Sequence, residues 1–180
     1  MQFAYRPELW HALFEMAALA AVTLTGLLSV GLSINLRTIV DTPAHMARAR
    51  EALIALTVLL TLSIFILIPE QGAVALGIEL LVLGIIVFVV ALRLQARTLH
   101  QLPVGERRSW RRRLLGLNSA TLTITIAGAS LLTGRMGGLL WLMPTVLICL
   151  VWSTYNAWSL AIHPARARNP GSLTAVPEQQ

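Results

Sequence analysis

Five long apolar runs decide what this chain can fold into. They cover residues of about 14–36, 52–69, 72–92, 114–134 and 138–161. Each run holds roughly 18 residues or more, which is enough to cross a hydrocarbon core of ~30 Å as an α-helix. Backbone polar groups in lipid must be hydrogen-bonded internally, and the runs lack the alternation of a barrel strand. The sequence therefore predicts an all-α fold, a polytopic transmembrane bundle of five membrane-spanning helices.

The composition favours a single membrane domain. Hydrophobic residues make up 56 % of the 180-residue chain and charged residues 12 %, whereas soluble domains average about 45–50 % apolar and about 25 % charged residues. We interpret residues 1–163 as one transmembrane domain. Residues 164–180 contain three prolines and few apolar side chains, which predicts a flexible cytoplasmic tail.

The arginines predict the orientation of the chain. All 14 basic residues are arginine, and with the N-terminus outside only Arg6 and Arg135 lie on the external side. The other twelve then lie in cytoplasmic segments, so the positive-inside rule favours N-out and C-in. We interpret the net charge of +6 as attraction to anionic headgroups of membrane lipids rather than to nucleic acid.

Five arginines precede the fourth run and form the most basic part of the chain. They lie at the expected level of the headgroups, where each contributes on the order of 1 kcal/mol of attraction to anionic lipid. An orienting signal is sufficient to explain them, and a specific lipid or protein partner is the alternative. The candidate headgroup-binding residues are Arg107, Arg108, Arg111, Arg112 and Arg113.

Glu79 lies inside the third apolar run. A charged group at membrane depth costs at least ~2.5 kcal/mol on insertion scales, so such a residue justifies a functional hypothesis. Counted from the turn at Gln71, Glu79 lies ~12 Å below the external surface. Thr61 is at the same depth in the second span, and Thr25 and Thr123 are at that level in the first and fourth. We therefore expect hydroxyl groups around the carboxyl group.

Two interpretations of Glu79 remain open at this point. In the first, Glu79 is a proton or cation site, and a polar path continues toward the inner end through Ser29, Ser33 and Asn35. In the second, Glu79 is neutral and hydrogen-bonds one threonine to hold two helices together. The first predicts a small channel or ion-permeation protein. The alternative is a non-catalytic scaffold or modulator of a larger membrane complex, which acts through the arginine-rich loop on an unidentified membrane protein.

Catalysis is not indicated. No histidine lies inside an apolar run and the chain has no lysine, so neither a histidine-activated serine nor a Schiff base is available in the membrane. Cys149 is the single cysteine, and no metal-binding or phosphate-binding motif is present. We expect no enzyme activity, no metal and no cofactor.

Small and hydroxylated residues predict how the helices pack. In the first span they recur every four residues, which permits close helix approach. The fourth span has a similar composition, so we expect spans 1 and 4 at the centre and spans 2 and 3 as a hairpin. A bundle this small suggests a homo-oligomer in which helix faces made of small residues form the subunit interfaces. The stripe in the first span consists of Ala17, Ala21, Thr25, Ser29 and Ser33.

Four short segments resemble a small bacterial family of multi-span inner-membrane proteins with about five helices. They are Gly-Leu-Leu-Ser-Val-Gly-Leu-Ser-Ile-Asn-Leu at 26–36, Glu-Ala-Leu at 51–53, Pro-Glu-Gln at 69–71 and Gly-Ile-Glu-Leu at 77–80. The similarity covers the first three spans. It implies a multi-pass protein of the bacterial cytoplasmic membrane without a settled activity. Labels on some similar proteins suggest modulation of a membrane-bound AAA protease.

Overall fold

The apolar runs fold as long helices. The computed structural model describes residues 2–34, 36, 43–101, 107–135 and 137–168, and side chains within 4–34, 36, 45–97, 118–135 and 137–159. All regular structure in these residues is helical. The α-helices are α1 (His11–Ile34), α2 (Pro43–Leu67), α3 (Ala73–Gln101), α4 (Arg107–Thr133) and α5 (Leu142–Arg168), with 3-10 helices at Gln2–Tyr5, Pro7–Trp10 and Gly138–Trp141.

Four helical segments in the described residues are long and apolar enough to cross a membrane: Pro7–Ile34, His45–Leu67, Ala73–Arg97 and Gly138–Ser159. The all-helical class is therefore confirmed, and the segments are those of a membrane protein. The fifth span predicted at 114–134 falls in α4 and stays a prediction.

The outer surface of the bundle is apolar. Large hydrophobic side chains project from every helix whose outer side chains are described, and Leu19 and Trp158 are 70 % and 68 % exposed. A water-soluble protein rarely exposes contiguous apolar patches of this kind. Lipid is the solvent that such a surface requires.

The two ends of the bundle differ in charge. The helices continue beyond the predicted spans at one end, which we call the arginine end; it contains residues 43–50, 93–101, 107–113 and 160–168. The opposite end, the turn end, contains residues 68–72 and 134–141. Residues 164–168, expected in the tail, continue α5, while 169–180 lie outside the described residues.

Helices α2 and α5 form the centre of the bundle. Helix α2 packs against α1, α3 and α5, and α5 packs against α1, α2 and α4. The prediction that spans 1 and 4 are central is wrong, because aliphatic side chains of α2 fill the core. The hydroxyl groups of α1 bond their own helix and need no partner helix. Fully buried core side chains include Phe14, Leu56, Leu59, Leu62, Ile66, Leu80, Ile124 and Leu142.

Glycines bring α3 and α4 into backbone contact. A Cβ atom on Gly128 would lie 2.8 Å from the carbonyl oxygen of Gly77 and 2.8 Å from the amide nitrogen of Leu81. A Cβ atom on Gly84 would lie 2.5 Å from Thr125 Oγ1. Small residues at such positions let two membrane helices approach until their backbones touch. We call this contact the glycine seam; it consists of Gly77, Gly84 and Gly128.

The hairpin of α2 and α3 is present but less tight than expected. A short turn at 68–72 joins the two helices, and Glu70 in it has a positive φ of 57°. The two helices contact each other only sparsely and leave a lateral crevice of about 290 Å³ between them. The α3 helix packs far more closely on α4, because the glycine seam draws it there.

The N-terminal segment covers the turn between α4 and α5. Gly137 donates its amide hydrogen to Tyr5 Oη at 3.1 Å, and the Cα of Gly138 faces the carbonyl group of Ala4. Gly138 has a φ of 51° and donates its amide hydrogen to the buried Ser130 Oγ at 2.7 Å. These contacts fix residues 2–10 to the turn end.

Candidate functional site

Glu79 lies in the second turn of α3 and its side chain is half-buried. Gln71 in the preceding turn donates a hydrogen bond from Nε2 to Glu79 Oε2 at 2.7 Å. Side chains on a helix lean toward its N-terminus, so the carboxyl group is carried back to the turn end. The pair therefore joins α3 to its own turn, near the boundary of the apolar region.

The threonines expected around Glu79 have other partners. Thr25 and Thr61 each donate to the carbonyl oxygen four residues earlier in the same helix, at 2.7 Å and 2.9 Å. Thr123 bonds its own helix and also Thr145 Oγ1 of α5 at 2.6 Å. The predicted convergence of hydroxyl groups on Glu79 is not observed.

Thr61 faces a crevice that Glu79 does not line. Thr61 lines the crevice between α2 and α3, whose α3 wall begins at Leu83, one turn further from the turn end than Glu79. Counting residues from the turn assumes that both helices run at equal depth. The equal depth expected for Thr61 and Glu79 stays a prediction.

Two of the remaining residues of the predicted polar path, Ser29 and Ser33, lie on α1. Ser29 and Ser33 are exposed, and each donates to a carbonyl oxygen of its own helix at 2.8 Å. A hydroxyl group bonded in this way is satisfied even in lipid. Asn35 lies outside the described residues. Among the described residues of one chain, Ser29 and Ser33 do not form a continuous path with Glu79.

Polar contacts between α2 and α5 occur at the arginine end. Arg48 of α2 donates from Nη1 to Ser159 Oγ of α5 at 2.7 Å. Ser153, one and a half turns earlier in α5, donates to the carbonyl oxygen of Ala52 at 3.3 Å. Asn156 lies between the two serines and is fully buried. These contacts join the two central helices in a fixed register.

The sequence contains a signal for this contact that counting residues by depth does not reveal. Ser153, Asn156 and Ser159 follow one another at intervals of three, which places them on one face of a helix. Polar residues on one face of a membrane helix favour interhelical hydrogen bonds. Glu79, the isolated acid in the third run, is easier to notice in the sequence. The spacing of Ser153, Asn156 and Ser159 indicates a contact between helices more directly.

Two more polar side chains, Gln95 and Glu51, are buried near this end. Asn118 of α4 lies 3.4 Å from Gln95 of α3, measured from Nδ2 to Oε1. Glu51 of α2 is only 9 % exposed. The five arginines predicted to bind headgroups fall in the first turns of α4, but their side chains are not among those described.

No metal-binding constellation occurs in the described part of the chain: no three His, Cys, Asp or Glu side chains there could hold an ion. Comparison with protein-family models, with curated proteins and with solved structures finds no match. Function is therefore inferred from the geometry.

Proposed function

We propose that this protein is a non-catalytic scaffold or modulator of a larger membrane complex, and that its arginine end is the contact surface. The observation that carries the proposal is the pair of polar contacts between α2 and α5 at the arginine end. Arg48 donates a hydrogen bond to Ser159, and Ser153 donates one to the carbonyl oxygen of Ala52. A rigid, cationic end suits a docking surface for acidic groups.

The proposal includes five membrane spans with the N-terminus outside and the C-terminus inside. The distribution of arginine supports this orientation, and α4 is long enough to serve as the remaining span at 27 residues. The resemblance of residues 26–36 to bacterial inner-membrane proteins supports placement in the bacterial cytoplasmic membrane.

The test is neutralisation of the arginine end in native membranes. Glutamine at Arg107, Arg108, Arg111, Arg112 and Arg113 should shift the protein from a large assembly to a smaller one in native gels. Neutralisation of Arg6 and Arg135, at the opposite end, is the matched control and should leave the assembly intact. Cysteine accessibility must first show an unchanged orientation. An unchanged assembly size in the five-fold variant would refute the scaffold.

A second candidate is ion permeation through a homo-oligomer. The exposure of Ser29 and Ser33 on α1 favours this candidate. If copies of the chain met along α1, these hydroxyl groups would line the interface between them. Flux through protein-containing liposomes tests this candidate, with Ser29→Ala, Ser33→Ala and Glu79→Gln beside the wild type. Flux that falls in the serine variants would establish permeation, and absence of flux in the wild type would exclude it for the ions tested.

A further inference from the structure

The crevice between α2 and α3 has the dimensions of a lipid chain. Six residues of α2 between Arg50 and Thr61, and four of α3 between Leu83 and Val90, line its volume of about 290 Å³. A third helix, ~10 Å wide, would have to separate α2 and α3, which contact each other, whereas a hydrocarbon chain can lie along the crevice without separating them. An extended hydrocarbon chain is therefore a better occupant than a helix of a partner or of a second copy.

The length of the crevice matches one leaflet of a bilayer. Arg50 and Thr61 are eleven residues apart, which corresponds to ~16 Å along a helix. Half of a ~30 Å hydrocarbon core is ~15 Å. A chain in the crevice would therefore extend from the headgroup level to the middle of the membrane.

The charge at the mouth of the crevice selects the headgroup. Arg50 belongs to the lining, and it lies at the arginine end, where Arg93 and Arg97 are also exposed. The other lining residues are aliphatic or threonine. Glu51 follows Arg50 in sequence but is not part of the lining. A cation at one end of an apolar crevice complements a phosphate group attached to an acyl chain.

We propose that this crevice binds an anionic phospholipid, with one acyl chain between α2 and α3 and its phosphate group at Arg50. The site differs from the predicted headgroup-binding arginines of α4, and it goes beyond the proposed scaffold function. It would hold the two helices at their observed separation, because removal of the acyl chain would leave their facing side chains uncovered.

Native mass spectrometry of the purified full-length chain tests the headgroup. Phosphatidylglycerol and phosphatidylcholine with identical acyl chains are the probes. We expect the first phosphatidylglycerol to bind about fivefold more tightly, the effect of one arginine near the headgroup. Arg50→Gln should remove this preference, whereas the control Arg93→Gln, an exposed arginine outside the lining, should retain it.

A tryptophan placed in the crevice tests the acyl chain. Thr57 is an exposed residue of the lining, so Thr57→Trp fills the crevice without a clash in the core. It should prevent tight binding of the first molecule of both lipids. Thr23→Trp, the same change at an exposed site on α1, should not affect binding. Circular dichroism and gel filtration confirm that each variant is folded.

Three results would overturn the proposal. The first is equal binding of the two lipids by the wild-type protein. The second is an Arg50→Gln variant that keeps the preference, or that loses it no more than Arg93→Gln does, which would indicate diffuse attraction to the arginine end. The third is unchanged binding in folded Thr57→Trp. None of these results depends on whether the protein is a scaffold.

Discussion

Gly128→Ala should destabilise the bundle by forcing α3 and α4 apart. The new Cβ atom would lie 2.8 Å from two backbone atoms of α3, whereas ordinary contact begins at 3.4 Å. The helices must therefore separate by about 0.6 Å, the difference between these distances. Backbone atoms cannot rotate away as a flexible side chain can, so the whole glycine seam has to open.

The expected change in the free energy of unfolding is the sum of two opposing contributions. Overpacking of a tight contact costs about 1–3 kcal/mol, and alanine in place of glycine recovers up to ~1 kcal/mol of helix propensity. We expect a net destabilisation of about 1–2 kcal/mol. Gly26→Ala is the matched control, because no heavy atom lies within 4 Å of the position that its new Cβ atom would occupy. Gly26→Ala therefore gains helix propensity but creates no overpacked contact.

The measurement is reversible unfolding of the purified protein in mixed micelles as the fraction of dodecyl sulfate rises. Fluorescence of the five tryptophans reports the transition. The two variants should differ by about 2 kcal/mol, or roughly 30-fold in the unfolding equilibrium constant. Equal stability of Gly128→Ala and Gly26→Ala would show that α3 and α4 are not in backbone contact at Gly128.

Three further predictions concern polar contacts. Ser130→Ala removes a buried hydroxyl group that bonds backbone groups of the α4–α5 turn. It should lower the free energy of unfolding by about 1–3 kcal/mol in the same assay. A loss below about 0.5 kcal/mol would contradict this role. Glu79→Gln preserves an acceptor for Gln71 and should change the free energy of unfolding by less than about 1 kcal/mol. Glu79→Leu removes the acceptor and should cost more. Equal losses in the two variants would contradict the hydrogen bond between Gln71 and Glu79. A double-mutant cycle of Arg48→Ala and Ser159→Ala should give a coupling free energy of about 0.5–2 kcal/mol, and additive losses would argue against the contact.

Much of the helical architecture follows from the sequence alone. Backbone groups cannot remain unbonded in lipid, so long apolar runs must become helices. The turn at 68–72 can also be predicted from the sequence, because Pro69 and Gly72 interrupt the hydrophobic pattern between α2 and α3. The position of Glu79 within α3 follows in the same way. These features are local, and local chemistry determines them.

The arrangement of the helices was decided only by tertiary packing. In lipid, helices do not associate through a hydrophobic driving force, so hydropathy does not reveal which faces meet. The hydroxyl stripe of α1 looked like a central face, yet its hydroxyl groups bond their own carbonyl oxygens, and α2 and α5 occupy the centre. The partner of Glu79, the side chain of Gln71, likewise depended on the direction in which the Glu79 side chain points. Close contact at Gly128 and hydrogen bonds such as Arg48 to Ser159 selected one packing among many, because only they require particular residues to face each other.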